Sequence, residues 1–176
     1  IPLTLVWVIG VTNALNLIDG LDGLAAGIAL ISSITIFIIA MLNGRNEAAI
    51  LTIILAGSIA GFLPYNFNPA SIFMGDSGAQ LLGFLLASIS IEGAVKSAAA
   101  FSIAVPILAL GIPIYDTLFA VIRRKINGKP IMQADRGHLH HRLLDMGLTQ
   151  KQAVIIMYVI SAILGSFSVV AMEINA

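Results

Sequence analysis

Long runs without a charged side chain dominate this sequence. They cover residues 1–18, 23–44, 48–75, 77–91, 97–115 and 152–172. Only 10% of the residues are charged and 59% are hydrophobic, whereas about a quarter of a soluble domain is charged. A helix needs about 20 mainly apolar residues to cross a bilayer. We therefore predict an all-α, polytopic transmembrane helical bundle with about six membrane segments, forming a single integral-membrane domain over 1–176.

Three of these runs have unusual lengths or ends. The fourth, 77–91, is short for a span and predicts a tilted or partly buried helix. The fifth is expected to continue past Asp116 to Ile122. The first begins at Ile1 without an initiator Met or the charged n-region of a signal peptide, so we expect a fragment whose N-terminal spans are missing.

The chain has no cysteine, which excludes disulfides and thiolate chemistry.

Positive charge sets the predicted orientation. Seven of the nine Lys and Arg residues lie in the stretch 123–151, and the positive-inside rule places that stretch in the cytoplasm. Counting back through the spans puts the turns at 66–77 and 17–22 on the same face. The turns at 92–96 and 43–47 then fall outside. This count requires the short fourth run to cross the membrane.

The first motif lies at the end of the first span. It reads Asn-Ala-Leu-Asn-Leu-Ile-Asp-Gly-Leu-Asp-Gly, and its polar side chains recur at every third position, at Asn13, Asn16, Asp19 and Asp22. On a helix this spacing keeps them on one flank, while the glycines permit a broken turn and close approach of a ligand. A helix terminus with capping aspartates explains one carboxylate, but ionisable groups at membrane depth are costly and usually functional.

The second motif is an irregular loop, Asn-Phe-Asn-Pro-Ala-Ser-Ile-Phe-Met-Gly-Asp-Ser-Gly, over residues 66–78. Its only charge is Asp76, next to a glycine, where a carboxylate can bind Mg²⁺ together with substrate phosphate oxygens. Phe73 offers a stacking face for a base. The simpler interpretations, an N-cap aspartate and an interfacial aromatic, stay open.

The third region, 123–151, is a predicted cytoplasmic loop rich in histidine and arginine. As a short helix on the membrane surface it carries an inward polar face of His138, His141, Arg142 and Asp145. Imidazole and guanidinium groups together suit a diphosphate. A solvated basic loop explains Arg123, Arg124 and Lys125 but not three nearby histidines. A zinc site is the minor alternative, because cysteine and a His-Glu-x-x-His pattern are absent.

Two further features flank this region. Thr149 and Gln152 match a capping box that opens the last span. Asp116 lies inside the fifth span, and we expect it to pair with Arg123 or another basic group, with a structural role at least as plausible as a catalytic one.

Carboxylates and amides for a metal, an aromatic face and a His/Arg cluster at a membrane suit phosphoryl transfer. Asn13 to Ala26, Phe73 to Gly78 and Gly137 to Leu143 together resemble the polyprenyl-phosphate N-acetylhexosamine-1-phosphate transferases. The resemblance covers nearly the whole chain. It implies transfer of an aminosugar-1-phosphate from its UDP derivative to undecaprenyl or polyprenyl phosphate, releasing UMP. It also implies Mg²⁺ or Mn²⁺ as cofactor and a cytoplasmic active site in the bacterial plasma membrane.

Site residues follow from the same resemblance. It implies Asp76 as the principal metal ligand with Asn16 as a second, and Asp19 as a carboxylate of the catalytic centre. It also implies that Asp22 and Phe73 contact the uracil and that Asn13 lies in the nucleotide-sugar site. The diphosphate and sugar loop comprises His138, His140, His141, Arg136 and Arg142.

The branch and the completeness of the site are further expectations. The Gly-His-x-His-His-Arg-Leu form resembles the branch that transfers GlcNAc-1-phosphate to start cell-envelope polymers such as teichoic acid or O-antigen. The branch making the peptidoglycan lipid precursor, the phospho-MurNAc-pentapeptide transferases, usually reads Pro-x-His-His-His there and is the alternative. The acidic pair of the family's N-terminal half is absent from this sequence, so we predict that the 176-residue chain alone is inactive.

Two other classes fit less well. An intramembrane aspartyl protease is suggested by Tyr115-Asp116 and Gly75-Asp76, but the two elements occur in the reverse order. A transporter predicts charges near mid-span, whereas here they cluster at span ends. We expect no nucleic-acid partner, and the sequence leaves a homodimer open.

Overall fold

The structure, a computed structural model, describes residues 2–94, 106–128, 130 and 137–173. Every regular element within these residues is an α-helix. The helices are α1 (Pro2–Ile18), α2 (Leu24–Leu42), α3 (Asn46–Asn66), α4 (Gly75–Ala94), α5 (Gly111–Ile126), α6 (Leu139–Asp145) and α7 (Gln150–Glu173). The predicted all-α fold is confirmed.

The outer surface of the bundle is apolar. Helices α2, α3 and α7 are long and apolar enough to cross a membrane, and α1 is apolar but shorter. Large aliphatic side chains stay exposed on the outer faces, among them Ile53 and Ile54 on α3 and Val159 and Ile163 on α7. Such a surface is stable against lipid tails and is a liability in water. The chain is therefore an integral-membrane helical bundle.

Helix α2 lies at the centre of the bundle. Twelve of its 19 residues are buried, and it packs against α3, α4 and α7, while α1 packs against α4 and α5. The α1–α4 contact depends on Gly83, where an added Cβ would lie 2.7 Å from the Cα of Thr12. Small residues allow this close approach of backbones, which is how membrane helices associate.

Helices α3 and α4 differ clearly in length from the apolar runs that predicted them. The third run extends to residue 75, but α3 ends at Asn66. The reason is Pro69, which disfavours helical backbone at the preceding residue. Helix α4 has 20 residues and extends past the run 77–91 at both ends. Its first turn includes Asp76, where a carboxylate suits the helix dipole.

The fifth run is not one continuous helix. Its first part lies outside the described residues, and the helical backbone of 106–109 is interrupted at Leu110 before α5 begins. Pro113 has no N–H for the carbonyl of Ala109, four residues earlier. The hydroxyl of Ser32 on α2 donates to that carbonyl at 2.8 Å instead. The bond fixes the break against the central helix.

Candidate functional site

The first motif ends α1 and forms a tight turn, residues 19–23, which we call the aspartate loop. Helical structure stops at Ile18, and Gly23 has a φ of 78°, a conformation that favours glycine. Asn13 and Asn16 therefore lie on the helix, whereas Asp19 and Asp22 lie in the turn. The broken turn that the glycines permit is the conformation observed.

Asp22 joins the aspartate loop to the loop between α3 and α4, residues 67–74, which we call the connecting loop. Its Oδ2 atom accepts hydrogen bonds from Asn68 Nδ2 at 3.0 Å and from the backbone N–H of Ala70 at 3.1 Å. Asn68 Nδ2 also donates to Gln150 Oε1 at 2.9 Å. The amide of Asn68 in the connecting loop thus links the aspartate loop before α2 to the start of α7.

Asp19 and Asp76 bring the first two motifs into electrostatic contact. Burial, and then the negative charge of Asp76, raise the pKa of Asp19 above its usual range. One turn earlier, the Oδ1 atom of Asn16 is buried and accepts no hydrogen bond from any described residue. Two repelling carboxylates beside an unpaired amide oxygen fit a hard cation such as Mg²⁺.

Asp19, Asp76 and Asn16, which we call the acidic cluster, form a small group. No group of three or more His, Asp or Glu side chains arranged to hold a metal ion occurs among the described residues. Mg²⁺ is commonly held by one or two carboxylates plus substrate phosphates and water. The side chains present therefore suit a cation that arrives with a phosphate ligand, not a cage made by this chain alone.

The short helix α6 carries the histidine motif. His138 precedes its first residue with extended backbone, at φ −62° and ψ 151°. His138 and His140 are buried, His141 is half-buried, and Arg142 and Asp145 are exposed. The predicted inward face is therefore wrong for Arg142 and Asp145, whereas His138 is buried as predicted. The helix starts after His138 and turns His140 inward.

His140 has an unusual environment. It is 1% exposed, and neither of its ring nitrogens has a hydrogen-bond partner within the described part of the chain. Burial, and then the nearby His141, lower the pKa of His140 to about 4, so the ring is neutral at physiological pH. The buried ring thus carries one N–H and one bare nitrogen that have no hydrogen-bond partner among the described residues.

The histidine helix meets the aspartate loop at His140. A Cβ atom on Gly20 would lie 2.7 Å from His140 Nε2, so only glycine leaves room for the ring. His140 also stacks on His138, with ring centroids 5.8 Å apart, and lies 4.2 Å from the centroid of His141. All three motifs therefore come together at one end of the bundle, the relative arrangement that the span count predicted for their loops.

The structure describes three of the four remaining predicted site residues. Phe73 is 74% exposed in the connecting loop. Asn13 donates its Nδ2 to the carbonyl of Ile9 at 2.8 Å and is exposed. The guanidinium carbon of Arg142 lies 6.0 Å from the ring centroid of Phe119. Arg136 lies outside the described residues.

Four residues that organise this end of the bundle were not among the predicted site residues. Asn68 and Gln150 bind around Asp22, as described above, and Asp116 accepts hydrogen bonds from the start of α6. Tyr158 on α7 donates its hydroxyl to the carbonyl of Gly23. The sequence did indicate Asp116, because a charge within an apolar span is energetically expensive. We expected it to pair with Arg123 or another basic group, and its partner is His138. Nothing in the sequence pattern singles out Tyr158.

Comparison with known proteins adds an independent line of observation. The sequence profile described as glycosyl transferase family 4 matches residues 1–94. A Bacillus subtilis protein named "probable undecaprenyl-phosphate N-acetylglucosaminyl 1-phosphate transferase" is 47% identical over 169 residues, which is 96% of this chain and 47% of the relative.

Two further relatives are similar over 90% of this chain. A decaprenyl-phosphate N-acetylglucosaminephosphotransferase of Mycolicibacterium smegmatis is 39% identical, with 44% of its own length covered. A phospho-N-acetylmuramoyl-pentapeptide-transferase of Staphylococcus saprophyticus is 34% identical, with 48% covered. The chain thus spans about half the length of the curated relatives it matches.

Proposed function

The chain belongs to glycosyl transferase family 4, and from this premise we propose that it forms part of a phosphoglycosyl transferase. The reaction is transfer of GlcNAc-1-phosphate from UDP-GlcNAc to undecaprenyl phosphate. An oxygen of the lipid phosphate attacks the phosphorus that bears the sugar, the bond from that phosphorus to UMP breaks, and UMP leaves. The product is a lipid-linked diphospho-sugar that starts a cell-envelope polysaccharide.

One observation carries this proposal, the meeting of the acidic cluster with His140 at one end of a membrane bundle. Asp19, Asp76 and Asn16 provide oxygens for a cation, and the neutral His140 ring lies against Gly20 of the aspartate loop. A diphosphate needs cations and N–H donors around it. This end of the bundle offers oxygens for a cation and the N–H groups of the half-buried His141 and the exposed Arg142, and the names of the relatives agree with a phosphate-linked sugar as substrate.

We assign the metal to Asp76 and Asn16, with Asp19 beside them. When bound, Mg²⁺ or Mn²⁺ would neutralise the diphosphate and stabilise the leaving phosphate. The unpaired amide oxygen of Asn16 and the repulsion between Asp19 and Asp76 both support a cation here. Asp22, Asn13 and Phe73 would bind the nucleoside, and the histidines with Arg136 and Arg142 the diphosphate and sugar.

The fold also offers a surface for the lipid acceptor. An apolar groove of about 420 Å³ runs along α1 between α4 and α5, lined by Trp7, Val11, Ile114 and Leu118 among others. It reaches Ala14, one to two turns before Asp19. A polyprenyl chain in this groove would have its phosphate near the acidic cluster, on the face that the positive charge of 123–151 predicts to be cytoplasmic.

The test uses the full-length protein that contains this chain. Purified enzyme is incubated with radiolabelled UDP-GlcNAc, undecaprenyl phosphate and Mg²⁺, and lipid-linked product and UMP are measured. We expect both in equal amounts. A parallel reaction with UDP-MurNAc-pentapeptide tests the alternative suggested by the Staphylococcus relative. Product with the pentapeptide donor alone would replace the GlcNAc assignment, and no product with either would refute the transferase.

A further inference from the structure

Asp116 is a buried carboxylate with both oxygens in use. It is 7% exposed. Its Oδ2 lies 2.8 Å from Nδ1 of His138, and its Oδ1 accepts the backbone N–H of Leu139 at 2.8 Å. One side chain on α5 thus holds two consecutive residues at the start of the histidine helix.

The contact to Leu139 fixes the backbone. Leu139 is the first residue of α6, and the N–H groups of a first helical turn have no partner within the helix. Asp116 satisfies this one from another helix. Next to it, Arg123 Nη1 donates to the carbonyl of Gly137 at 2.6 Å. Helix α5 therefore binds three successive positions, 137, 138 and 139.

The contact to His138 fixes a proton. A carboxylate only accepts, so in a neutral ring Nδ1 of His138 carries the hydrogen and Nε2 is the bare nitrogen. The ring planes of His138 and His140 are 8° from parallel, and His140 Nε2 lies against Gly20. The orientation of His138 is thereby transmitted to His140 and to the aspartate loop.

We propose that Asp116 is a positioning residue for the transfer reaction. It sets the tautomer and orientation of His138 and, through the stacked rings, holds His140 at the aspartate loop. This inference rests on the proposed function for its effect on turnover. Asp116 itself would not bind substrate, because it is buried and both oxygens have partners.

The decisive variant is Asp116→Asn in the full-length enzyme. The amide oxygen can still accept from Leu139, but the amide N–H₂ donates towards His138 Nδ1 and favours the opposite tautomer. We expect kcat to fall about 10- to 100-fold, the loss that is typical when a hydrogen-bond partner that orients a metal-ligating histidine is removed. KM for UDP-GlcNAc and the melting temperature should change little. The matched control is Asp145→Asn, the same substitution at the exposed other end of α6, which should leave kcat unchanged.

A second measurement separates this role from packing. Imidazole ¹⁵N shifts of selectively labelled protein report which nitrogen of His138 carries the hydrogen. We expect protonated Nδ1 in the wild type and protonated Nε2 in Asp116→Asn. Any of three results would overturn the inference. The first is a wild-type kcat in Asp116→Asn, and the second is an equal loss of kcat in Asp145→Asn. The third is a hydrogen on Nε2 of His138 in the wild type.

Failure of the proposed function gives a different pattern. If the wild type transfers no sugar phosphate, the proposed function fails, but the ¹⁵N shifts still test the Asp116–His138 pair. If Asp116→Asn does not fold, the wild-type shifts alone decide, since the pair requires the Nδ1-protonated ring.

Discussion

Gly20 and His140 are in contact across the site, with space for no side chain between them. A Cβ atom at position 20 would lie 2.7 Å from His140 Nε2, and 3.3 Å from its Cε1. The aspartate loop and the histidine helix therefore have a fixed separation. Glycine is needed here for close approach, whereas at Gly23 it is needed for its backbone conformation.

Gly20→Ala tests this separation. We expect the methyl group to displace the His140 ring by roughly 1 Å and to lower kcat about 100-fold, since misplacement of that size is costly in catalysis. Stability should fall by about 1–3 kcal/mol, as for overpacking. Turnover and thermal unfolding measure the two effects. The control is Gly57→Ala on α3, where a Cβ would meet nothing within 4 Å. Full activity of Gly20→Ala would show that the contact does not matter.

Asn68→Ala tests the bonds around Asp22. It removes donors to Asp22 Oδ2 and Gln150 Oε1, and we expect a loss of about 1–2 kcal/mol in stability. KM for UDP-GlcNAc should rise because Asp22 loses a partner that holds it in place.

The control for Asn68→Ala is Ser58→Ala, which removes an exposed hydroxyl that bonds only within its own helix, to Ile54. Denaturant unfolding and steady-state kinetics distinguish the variants. Equal KM values for UDP-GlcNAc in the two variants would show that Asn68 does not contribute to binding of the nucleotide sugar.

Metal removal tests the acidic cluster. Chelation should abolish turnover and added Mg²⁺ should restore it. Asp76→Asn should raise the Mg²⁺ concentration for half-maximal rate by at least about tenfold, since one of few charged ligands is lost. It should also lower the pKa of Asp19, which Asp76 raises. The carboxyl ¹³C shift of Asp19 against pH measures the last effect. An unchanged Mg²⁺ requirement would remove Asp76 from the metal site.

His140 makes a pH-dependent contribution to stability. Its pKa is about 4 in the folded chain against a usual 6.5, so the unfolded state binds the proton more tightly. This contribution is complete above about pH 6.5, and it is lost as the pH falls towards 4. At about pH 5 the loss should be on the order of 1–2 kcal/mol.

The comparison with His140→Gln isolates that effect, because the variant keeps polar atoms but cannot gain the proton. Unfolding of both proteins is measured from about pH 7 to pH 4.5. The stability difference between them should shift in favour of the variant as the pH falls. A difference that is constant with pH would contradict a buried, neutral His140.

Local features of the sequence were sufficient for much of the fold. The apolar runs locate the helices that lipid solvates, and the capping box is confirmed, since Thr149 and Gln152 bond to each other at the start of α7. Apolar runs and capping boxes both depend on residues within one or two helical turns, so the sequence alone is enough to predict them. Where helix ends moved, at Asn66 and Leu110, the cause was again local, a nearby proline.

Only the tertiary structure decided which residues contact each other inside the site. Asp22 and Asn68 are 46 residues apart, and Asp116 and His138 are 22 apart, so no periodicity relates them. The histidine spacing suggested His141 as an inward residue, whereas packing turns His140 inward. The sequence determined which chemical groups are available and at which end of the bundle. Packing of the helices determined which of them touch, because a buried polar group must find its partner in space and not along the chain.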